Sequence, residues 1–213
     1  MSFERAKSFE ALGIEHGFGG AGTLAAAKFE LARPKQVHGT ALARAPFTVA
    51  PEADAVWTAA PGVAVAVVTA DCVPILLSEP RRRFACAIHA GWRGSAARIA
   101  SLTVRALARA TRISTGEMIA AIGPHIGRCC YEVDAPVLQA IPERSVFSPA
   151  ERPEHAMLDL FALNRLRLVG AGVPARAIER VGGCTLCDPE KRYASYRRDK
   201  TKGQMLHFIR LPH

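Results

Sequence analysis

The sequence predicts a mixed protein of the α/β or α+β class, with parallel and antiparallel strands in its sheets. Two observations support this. Short apolar runs outnumber the segments with a helical period, and the two kinds follow one another in mixed order. The 213 residues also contain no repeat, low-complexity tract or linker long enough to separate domains. We therefore expect one domain over residues 1–213.

Apolar runs bounded by turn-forming residues predict the strands. Pro74 precedes one such run, and the segment 78–83, with its three consecutive arginines, predicts a solvated turn. The run after this turn presents His89 at its end. The expected strands are 63–69, 75–77, 84–88, 118–122, 177–181 and 205–209.

A helical period predicts one longer helix over 95–110, with Ser95 as its N-cap. Two shorter helices are expected over 134–141 and 159–169, where Asp134 and Asp159 are the capping candidates. Gly170 would lie just beyond the end of the last helix. The apolar face of the long helix consists of Ile99, Leu102, Ala106 and Leu107.

Composition narrows the class of protein. Hydrophobic residues make up 49% and charged residues 22%, which suits a large core and not a disordered chain. No apolar run reaches the roughly 20 residues that span a bilayer, and the first residues do not resemble a secretory signal. We expect a cytoplasmic protein without a membrane segment, whose six cysteines are reduced thiols or metal ligands.

The net charge of +9 would suit nucleic acid, but the basic residues are spread along the whole chain. We therefore do not expect nucleic acid as the main substrate. An anionic or phosphate-bearing small molecule would exploit the same charge.

Three separated segments each place a metal-ligand side chain at the end of an apolar run. They contribute His38, Cys72 and His89. Taken singly, each has an ordinary structural interpretation as a buried thiol or a hydrogen-bonded histidine. Their wide spacing excludes a small zinc knuckle, so tertiary packing would have to assemble the site. Two imidazoles and one thiolate suit catalytic zinc, which lowers the pKa of a bound water to about 7.

Neighbouring residues extend this candidate site. Asp71 beside Cys72 would orient an imidazole, act as a general base, or merely cap the strand end. Arg93 lies in the Gly-rich turn between the strand ending at His89 and the next helix, where backbone N–H groups favour anions. Near the C-terminus, aromatic and basic residues around Arg197 would stack on a heterocycle and hold phosphate, or form a solvated loop.

The remaining cysteines predict less. Cys184 and Cys187 form a single Cys-x-x-Cys pair, which we interpret as ordinary reduced thiols. Cys129 and Cys130 are adjacent, and we expect them in a loop and not on one ion.

Two other functional classes stay open on the residues alone. One is a cysteine hydrolase with Cys72 as nucleophile, His89 as base and Asp71 orienting the base. The other is a basic binding protein for RNA or cell-wall fragments. A true multicopper oxidase is excluded, because its copper centres require more histidines than the seven present, commonly in His-x-His pairs.

Six motifs together resemble one family, the laccase-domain purine nucleoside phosphorylases, also called multicopper polyphenol oxidases or peptidoglycan editing factors. The motifs are Gln36-Val37-His38-Gly39, Ala53-Asp54-Ala55, Thr69-Ala70-Asp71-Cys72-Val73-Pro74, His89-Ala90-Gly91-Trp92-Arg93-Gly94, Ile122-Gly123-Pro124 and Ser195-Tyr196-Arg197-Arg198-Asp199.

The resemblance implies a single-domain α/β/β/α layered sandwich with mixed β-sheets, usually monomeric. It implies zinc held by His38, Cys72 and His89. The implied reactions are phosphorolysis of adenosine, inosine and methylthioadenosine, and deamination of adenosine. Asp71 would move protons, and Gln36, Arg93 and Arg197 would bind nucleoside and phosphate. Copper would support only a weak polyphenol oxidase side activity.

Two departures from the family pattern stand out. The family carries a Thr-Arg-x-Gly-Gly stretch after its first strand, within a longer N-terminal part, whereas residues 16–22 here are Gly-rich and lack the Arg. If that Arg grips substrate, we expect phosphorolysis to be weakened or altered. His125 stands where the family often has Cys or Ser.

Overall fold

The computed structural model describes residues 3–25, 30–200 and 204–212, which contain fourteen strands and six α-helices. The strands are β1 (Phe3–Glu4), β2 (Glu15–Gly19), β3 (Leu31–Ala32), β4 (Leu42–Arg44), β5 (Ala55–Thr58), β6 (Ala64–Thr69), β7 (Val73–Ser78), β8 (Ala85–Ala90), β9 (Ile119–Ile122), β10 (Glu132–Val133), β11 (Phe147–Pro149), β12 (Ala156–Leu158), β13 (Ile178–Arg180) and β14 (Met205–Arg210). The helices are α1 (Lys7–Glu10), α2 (Trp92–Ala96), α3 (Ile99–Thr111), α4 (Ala135–Ala140), α5 (Leu160–Gly170) and α6 (Tyr196–Asp199). All six predicted strands are present, as β6, β7, β8, β9, β13 and β14.

Two mixed sheets form the body of the protein. One has the strand order β1-β2-β14-β6-β3 and the other β13-β9-β7-β8-β5-β4, and a small antiparallel sheet has the order β10-β12-β11. Parallel pairs (β3 with β6, β4 with β5, β9 with β13) occur beside antiparallel ones. The predicted α/β class with mixed sheets is confirmed.

The two large sheets face one another across an apolar layer. Val65 and Val67 of β6 pack there with Leu76 of β7 and Ala87 of β8. Successive side chains of a strand point to opposite faces of the sheet. Ile75, the neighbour of Leu76 in β7, therefore belongs to a separate cluster on the other face. Strands buried on both faces read as unbroken apolar runs, which explains why these runs were recognisable in the sequence.

Helices cover the other face of the six-stranded sheet. α3 and α5 contribute Val104, Leu107, Leu163 and Leu168 to the cluster that contains Ile75. The outer face of the five-stranded sheet carries a smaller cluster of Ala66, Val68, Leu206 and Phe208, packed by Phe3, Leu24 and Leu31. The helices, the six-stranded sheet and the five-stranded sheet thus form successive layers.

The predicted single helix over 95–110 is wrong at its start. A short helix, α2, begins at Trp92 with Gly91 at its N-cap position, and the left-handed backbone of Arg98 separates it from α3. Ser95 is not a cap, because its hydroxyl is buried and hydrogen-bonded to Asn164. The predicted apolar face is only partly right: Ile99 and Leu107 are buried, but Leu102 is 48% exposed.

The other two helix predictions are closer. Asp159 caps α5 through its side chain, which accepts a hydrogen bond from Ala162 N at 2.9 Å. Asp134 occupies the N-cap position of α4 without a side-chain cap bond. α5 ends at Gly170, one residue later than expected, so this glycine is the last helical residue and does not lie beyond the end. No helix within the described ranges is long and apolar enough to cross a membrane.

Candidate active site

Three chain segments from both sheets bring His38, Cys72 and His89 together. His38 lies in the loop after β3, Cys72 in the turn that leads from β6 of one sheet to β7 of the other, and His89 within β8. The candidate ligand atoms of the three all lie within 4.8 Å of one another. We call these three residues the open site. Convergence of these side chains was the main expectation from the sequence.

The pairing of β7 with β8 explains how Cys72 reaches the two rings. Val73 is opposite Ala90 in this antiparallel pair, so the preceding Cys72 lies beside Gly91. A Cβ on Gly91 would approach the Cys72 sulfur to 2.9 Å and His38 Cδ2 to 3.3 Å. The absence of a side chain at Gly91 therefore leaves room for the thiol and the first imidazole.

Two residues of the site have left-handed backbones, with φ of 61° at His38 and 83° at Asp71. Such conformations are uncommon for residues other than glycine and cost of order 1–3 kcal/mol each. Hydrogen bonds hold both in place. His38 N donates to Asp54 Oδ1 at 3.0 Å, and Asp71 is bound by Thr185 and Arg197.

Asp54 is the carboxylate that orients the imidazole, a role for which the sequence had suggested Asp71. It is fully buried, and its Oδ1 lies 2.7 Å from His89 Nδ1. It also accepts backbone hydrogen bonds from Val37 at 3.2 Å and Gly39 at 2.6 Å. Asp54 thus fixes the His38 loop, and its carboxylate favours the form of His89 with a proton on Nδ1, which leaves Nε2 available as a donor to a metal.

Asp71 is held differently. Its Oδ1 accepts from Thr185 Oγ1 at 2.6 Å and its Oδ2 from Arg197 N at 2.7 Å. Its carbonyl accepts from Ile126 N at 3.0 Å. Asp71 lines the cavity described below, and these contacts fix its carboxylate between Thr185 and Arg197.

The thiol and the buried ring alter one another's ionisation. Burial raises the pKa of the Cys72 thiol, but hydrogen bonds with His38 and His89 and their charge bring it down to about 7. Burial lowers the pKa of His89, whereas hydrogen bonds with Asp54 and Cys72 raise it to about 9. The site therefore favours the thiolate of Cys72, the form that binds metal ions.

A cavity of about 740 Å³ opens over the three residues. His38 is exposed, Cys72 half-buried and His89 only 4% exposed, so one side of the group faces this space. Aromatic and basic side chains line the cavity together with the site. They are Arg33, Lys35, Tyr131, Tyr196, Arg197 and Lys200.

The three predicted substrate-binding residues have different positions. Gln36 lines the cavity, but its side-chain amide pairs with the backbone of Val68, donating to its O and accepting from its N at 2.8 Å. Arg197 lines the cavity, and its guanidinium lies over the Tyr131 ring. Arg93 lies against Trp92 and lines a neighbouring cavity, which shares Tyr131 and Arg197 with the first.

The structure brings the four remaining cysteines together, which the sequence did not predict. The sulfurs of Cys129, Cys130, Cys184 and Cys187 all lie within 4.8 Å of one another, so the adjacent pair is not remote from the Cys-x-x-Cys pair. We call these four the cysteine cluster. Residues 128–130 do form a turn, as expected. The signal that was missed is topological: the two pairs follow β9 and β13, which are parallel neighbours.

The histidine of the Gly-rich segment 16–22 and His125 both have structural contacts in this chain. His16 is buried in β2, where its Nε2 accepts from Ala6 N at 2.7 Å and its Nδ1 lies 2.8 Å from Ile14 O. His125 is buried, with Nδ1 2.7 Å from Gly123 O, and burial lowers its pKa to about 4. Neither side chain lines the cavity.

Comparison with known proteins gives consistent similarities. Residues 21–212 match the family described as multi-copper polyphenol oxidoreductase laccase. The chain is 37% identical to a purine nucleoside phosphorylase of Pseudomonas aeruginosa, over 82% of this chain and 71% of that protein. It is 36% identical to an adenosine deaminase from an unknown prokaryotic organism, over 68% and 56% respectively. The crystal structure of the hypothetical protein YfiH from Bacillus licheniformis superposes with a TM-score of 0.85 at 27% identity, covering 95% of this chain and 94% of the other.

Proposed function

We propose, on the premise that the chain belongs to the family of multi-copper polyphenol oxidoreductase laccases, that it is a purine nucleoside enzyme. Its reactions are phosphorolysis of adenosine, inosine and methylthioadenosine, and deamination of adenosine. The convergence of His38, Cys72 and His89 beside a cavity carries this proposal. The names of the two relatives, a purine nucleoside phosphorylase and an adenosine deaminase, support the choice of chemistry.

The donor set of the open site fits zinc. Two imidazoles and one thiolate leave a fourth coordination position, and Asp54 supplies the outer carboxylate that such sites use to orient a histidine. When bound, zinc supplies a Lewis acid and an acidified water. Copper accepts the same donors, so weak polyphenol oxidation is proposed only as a side activity.

The cavity fits a nucleoside in size and lining. Its volume lies within the roughly 300–1,000 Å³ usual for small-molecule sites. The rings of Tyr131 and Tyr196 offer faces for stacking a purine, and Tyr196 is 56% exposed and so open to a ligand. The purine would therefore lie between the aromatic wall and the open site.

The basic side chains of the cavity would bind phosphate. In phosphorolysis a phosphate oxygen bonds to ribose C1′ as the bond from C1′ to the purine nitrogen breaks, and the purine leaves with a proton. Arg197 donates to Glu132 O through one nitrogen and keeps other donors for an anion. Arg33, Lys35 and Lys200 add positive charge to the same space. We assign Arg33 to the role of the family's arginine absent from residues 16–22.

Asp71 would transfer protons in both reactions. In deamination, water adds to C6 of adenine and ammonia leaves, so a proton must move from the water to the departing amino group. The Asp71 carboxylate lines the cavity and is fixed by Thr185 and Arg197, which orients it without neutralising it.

A cysteine hydrolase is the second candidate. The contact of Cys72 with His89, the pKa of about 7 for the thiol and the Asp54 bond to the ring favour it. Such an enzyme would use one imidazole, however, and leaves His38 against the same sulfur without a role. The second imidazole favours the metal.

The test is Cys72→Ala, compared with Cys86→Ala, which removes a buried core thiol that does not line the cavity. We expect Cys72→Ala to lose one equivalent of zinc and all turnover of adenosine and inosine, measured with and without phosphate. Cys86→Ala should retain both. Full nucleoside turnover by Cys72→Ala would refute the proposal, and a metal-free protein whose activity is blocked by thiol alkylation would favour the hydrolase.

A further inference from the structure

The cysteine cluster lies outside the open site and has no role in the reactions above. It combines two chain segments that follow β9 and β13. Because these strands are parallel neighbours, the loops after them leave the sheet at the same edge. Their backbones run side by side, with Thr185 N donating to His125 O at 3.0 Å.

The geometry points to a second metal site, in which the thiolates of Cys129, Cys130, Cys184 and Cys187 hold one zinc ion in a closed tetrahedral shell. A Zn–S distance of about 2.3 Å requires sulfurs separated by about 3.8 Å in a tetrahedron. The Cys129 and Cys187 sulfurs are 3.6 Å apart, and all four lie within 4.8 Å. This spacing matches one ion and is too short for thiolates on different irons of an iron–sulfur cluster.

A backbone contact favours the thiolate of one of the four, Cys184. Gly127 N donates to Cys184 Sγ at 3.2 Å. A Cβ on Gly127 would lie 3.2 Å from Cys129 Sγ and 3.5 Å from Cys184 Sγ, so glycine lets the backbone approach both sulfurs. Backbone N–H groups on sulfur are the outer-shell partners that tune thiolate ligands.

Charge and exposure agree with a metal. Four thiolates around Zn²⁺ carry a net negative charge, and two arginines, Arg128 and Arg180, against one carboxylate, Asp159, line the cavity next to Cys129 and Cys184. Cys129 and Cys187 are exposed, so an ion can enter from solvent.

The site would serve the fold. Both loops that carry the cysteines grip the turn at Asp71: Ile126 N donates to its carbonyl, and Thr185 Oγ1 to its carboxylate. One ion joining the loops would hold the wall of the nucleoside cavity, to which Ile126 and Tyr131 belong. This closed site is structural, and its existence does not depend on the nature of the reaction.

The first test is the zinc content of the whole protein, purified without chelator and counted by mass spectrometry. Cys187→Ser should contain one zinc fewer per chain than wild type, and Cys86→Ala the same number as wild type. The difference between variants is the readout, so it holds even if the open site binds no zinc. Equal zinc in wild type and Cys187→Ser would overturn the proposal.

The second test uses the unmutated protein and covers a variant that fails to fold. Exposed Cys129 and Cys187 should resist iodoacetamide in the zinc-loaded protein and react after chelation, as mapped by peptide mass spectrometry. Immediate alkylation would overturn the proposal. So would an intact mass showing disulfide bonds among the four cysteines, or iron with inorganic sulfide in place of zinc.

Discussion

The open site and the cysteine cluster use the same element, sulfur, in opposite arrangements. In the open site one thiol stands with two imidazoles at the wall of a cavity, and an outer carboxylate holds His89. In the cysteine cluster four thiols lie close to one another on the loops that follow the neighbouring strands β9 and β13. The backbone N–H of Gly127 donates to the sulfur of Cys184. Three donors leave a position for a reactant, whereas four close the shell.

The difference also lies in what each region holds together. The turn bearing Cys72 leads from one large sheet to the other, and two strained backbones, at His38 and Asp71, stand beside it. The cysteine cluster joins two loops that already run in parallel. Strained backbones cluster at active sites, so the strain at the first region agrees with the proposed catalytic role, and the parallel loops at the second agree with the proposed structural one.

The largest expected effect is the complete loss of nucleoside turnover when a chelator removes the first of two zinc ions. We expect a chelator such as 1,10-phenanthroline to remove zinc from the open site first, with complete loss of nucleoside turnover. The second equivalent should leave more slowly, accompanied by loss of thermal stability, because a closed four-sulfur shell offers no position for the attacking chelator. Metal content, activity and melting temperature followed on one sample would check this.

The order of release can be assigned with variants. His38→Ala should lack the fast phase and Cys187→Ser the slow one. A single release phase in wild type that carries two equivalents of zinc would remove the distinction between the two regions.

A smaller effect is expected from Asp54→Asn. The amide keeps the size of the side chain but removes the charge that orients His89. Replacing such outer partners typically costs about 10–100-fold in metal affinity or activity. Glu79→Gln is the matched control, since Glu79 is also fully buried and accepts backbone hydrogen bonds, from Arg81 and Arg83, in the turn after β7. Zinc affinity measured by competition should fall in the first variant only; equal affinities would deny Asp54 its orienting role.

Much of the site could be predicted from the sequence because the residues that carry it stand at the ends of apolar runs. Strands β6, β7 and β8 are buried on both faces, so they form apolar runs in the sequence. The ends of these runs could be recognised there, and with them Cys72 and His89. Asp54 stands between alanines before β5, where a buried carboxylate needs a partner. That was the available signal for its role, but the sequence does not say which ring it meets.

Other parts could not be predicted, since they depend on packing between distant segments. The start of α2 at Trp92 is set by a left-handed Arg98 and by the bond of Ser95 to Asn164, 69 residues away. The same holds for Arg93, which the earlier helix start places against Trp92. The cysteine cluster required knowing that β9 and β13 are neighbours.

The smallest expected effect compares a glycine from each region. In Gly91→Ala the new Cβ would lie 2.9 Å from the Cys72 sulfur, so the thiol must shift away from the two imidazoles. Crowding of this kind costs about 1–3 kcal/mol, and we expect zinc at the open site to bind about tenfold more weakly. Gly183→Ala, beside Cys184, meets no atom within 4 Å and should change zinc affinity and stability by less than about 0.5 kcal/mol. Competition titration gives the zinc affinity of both variants, and urea unfolding gives their stability. If Gly91→Ala bound zinc as tightly as wild type, the donor atoms of the open site would tolerate displacement, which contradicts a site whose geometry is fixed for one ion.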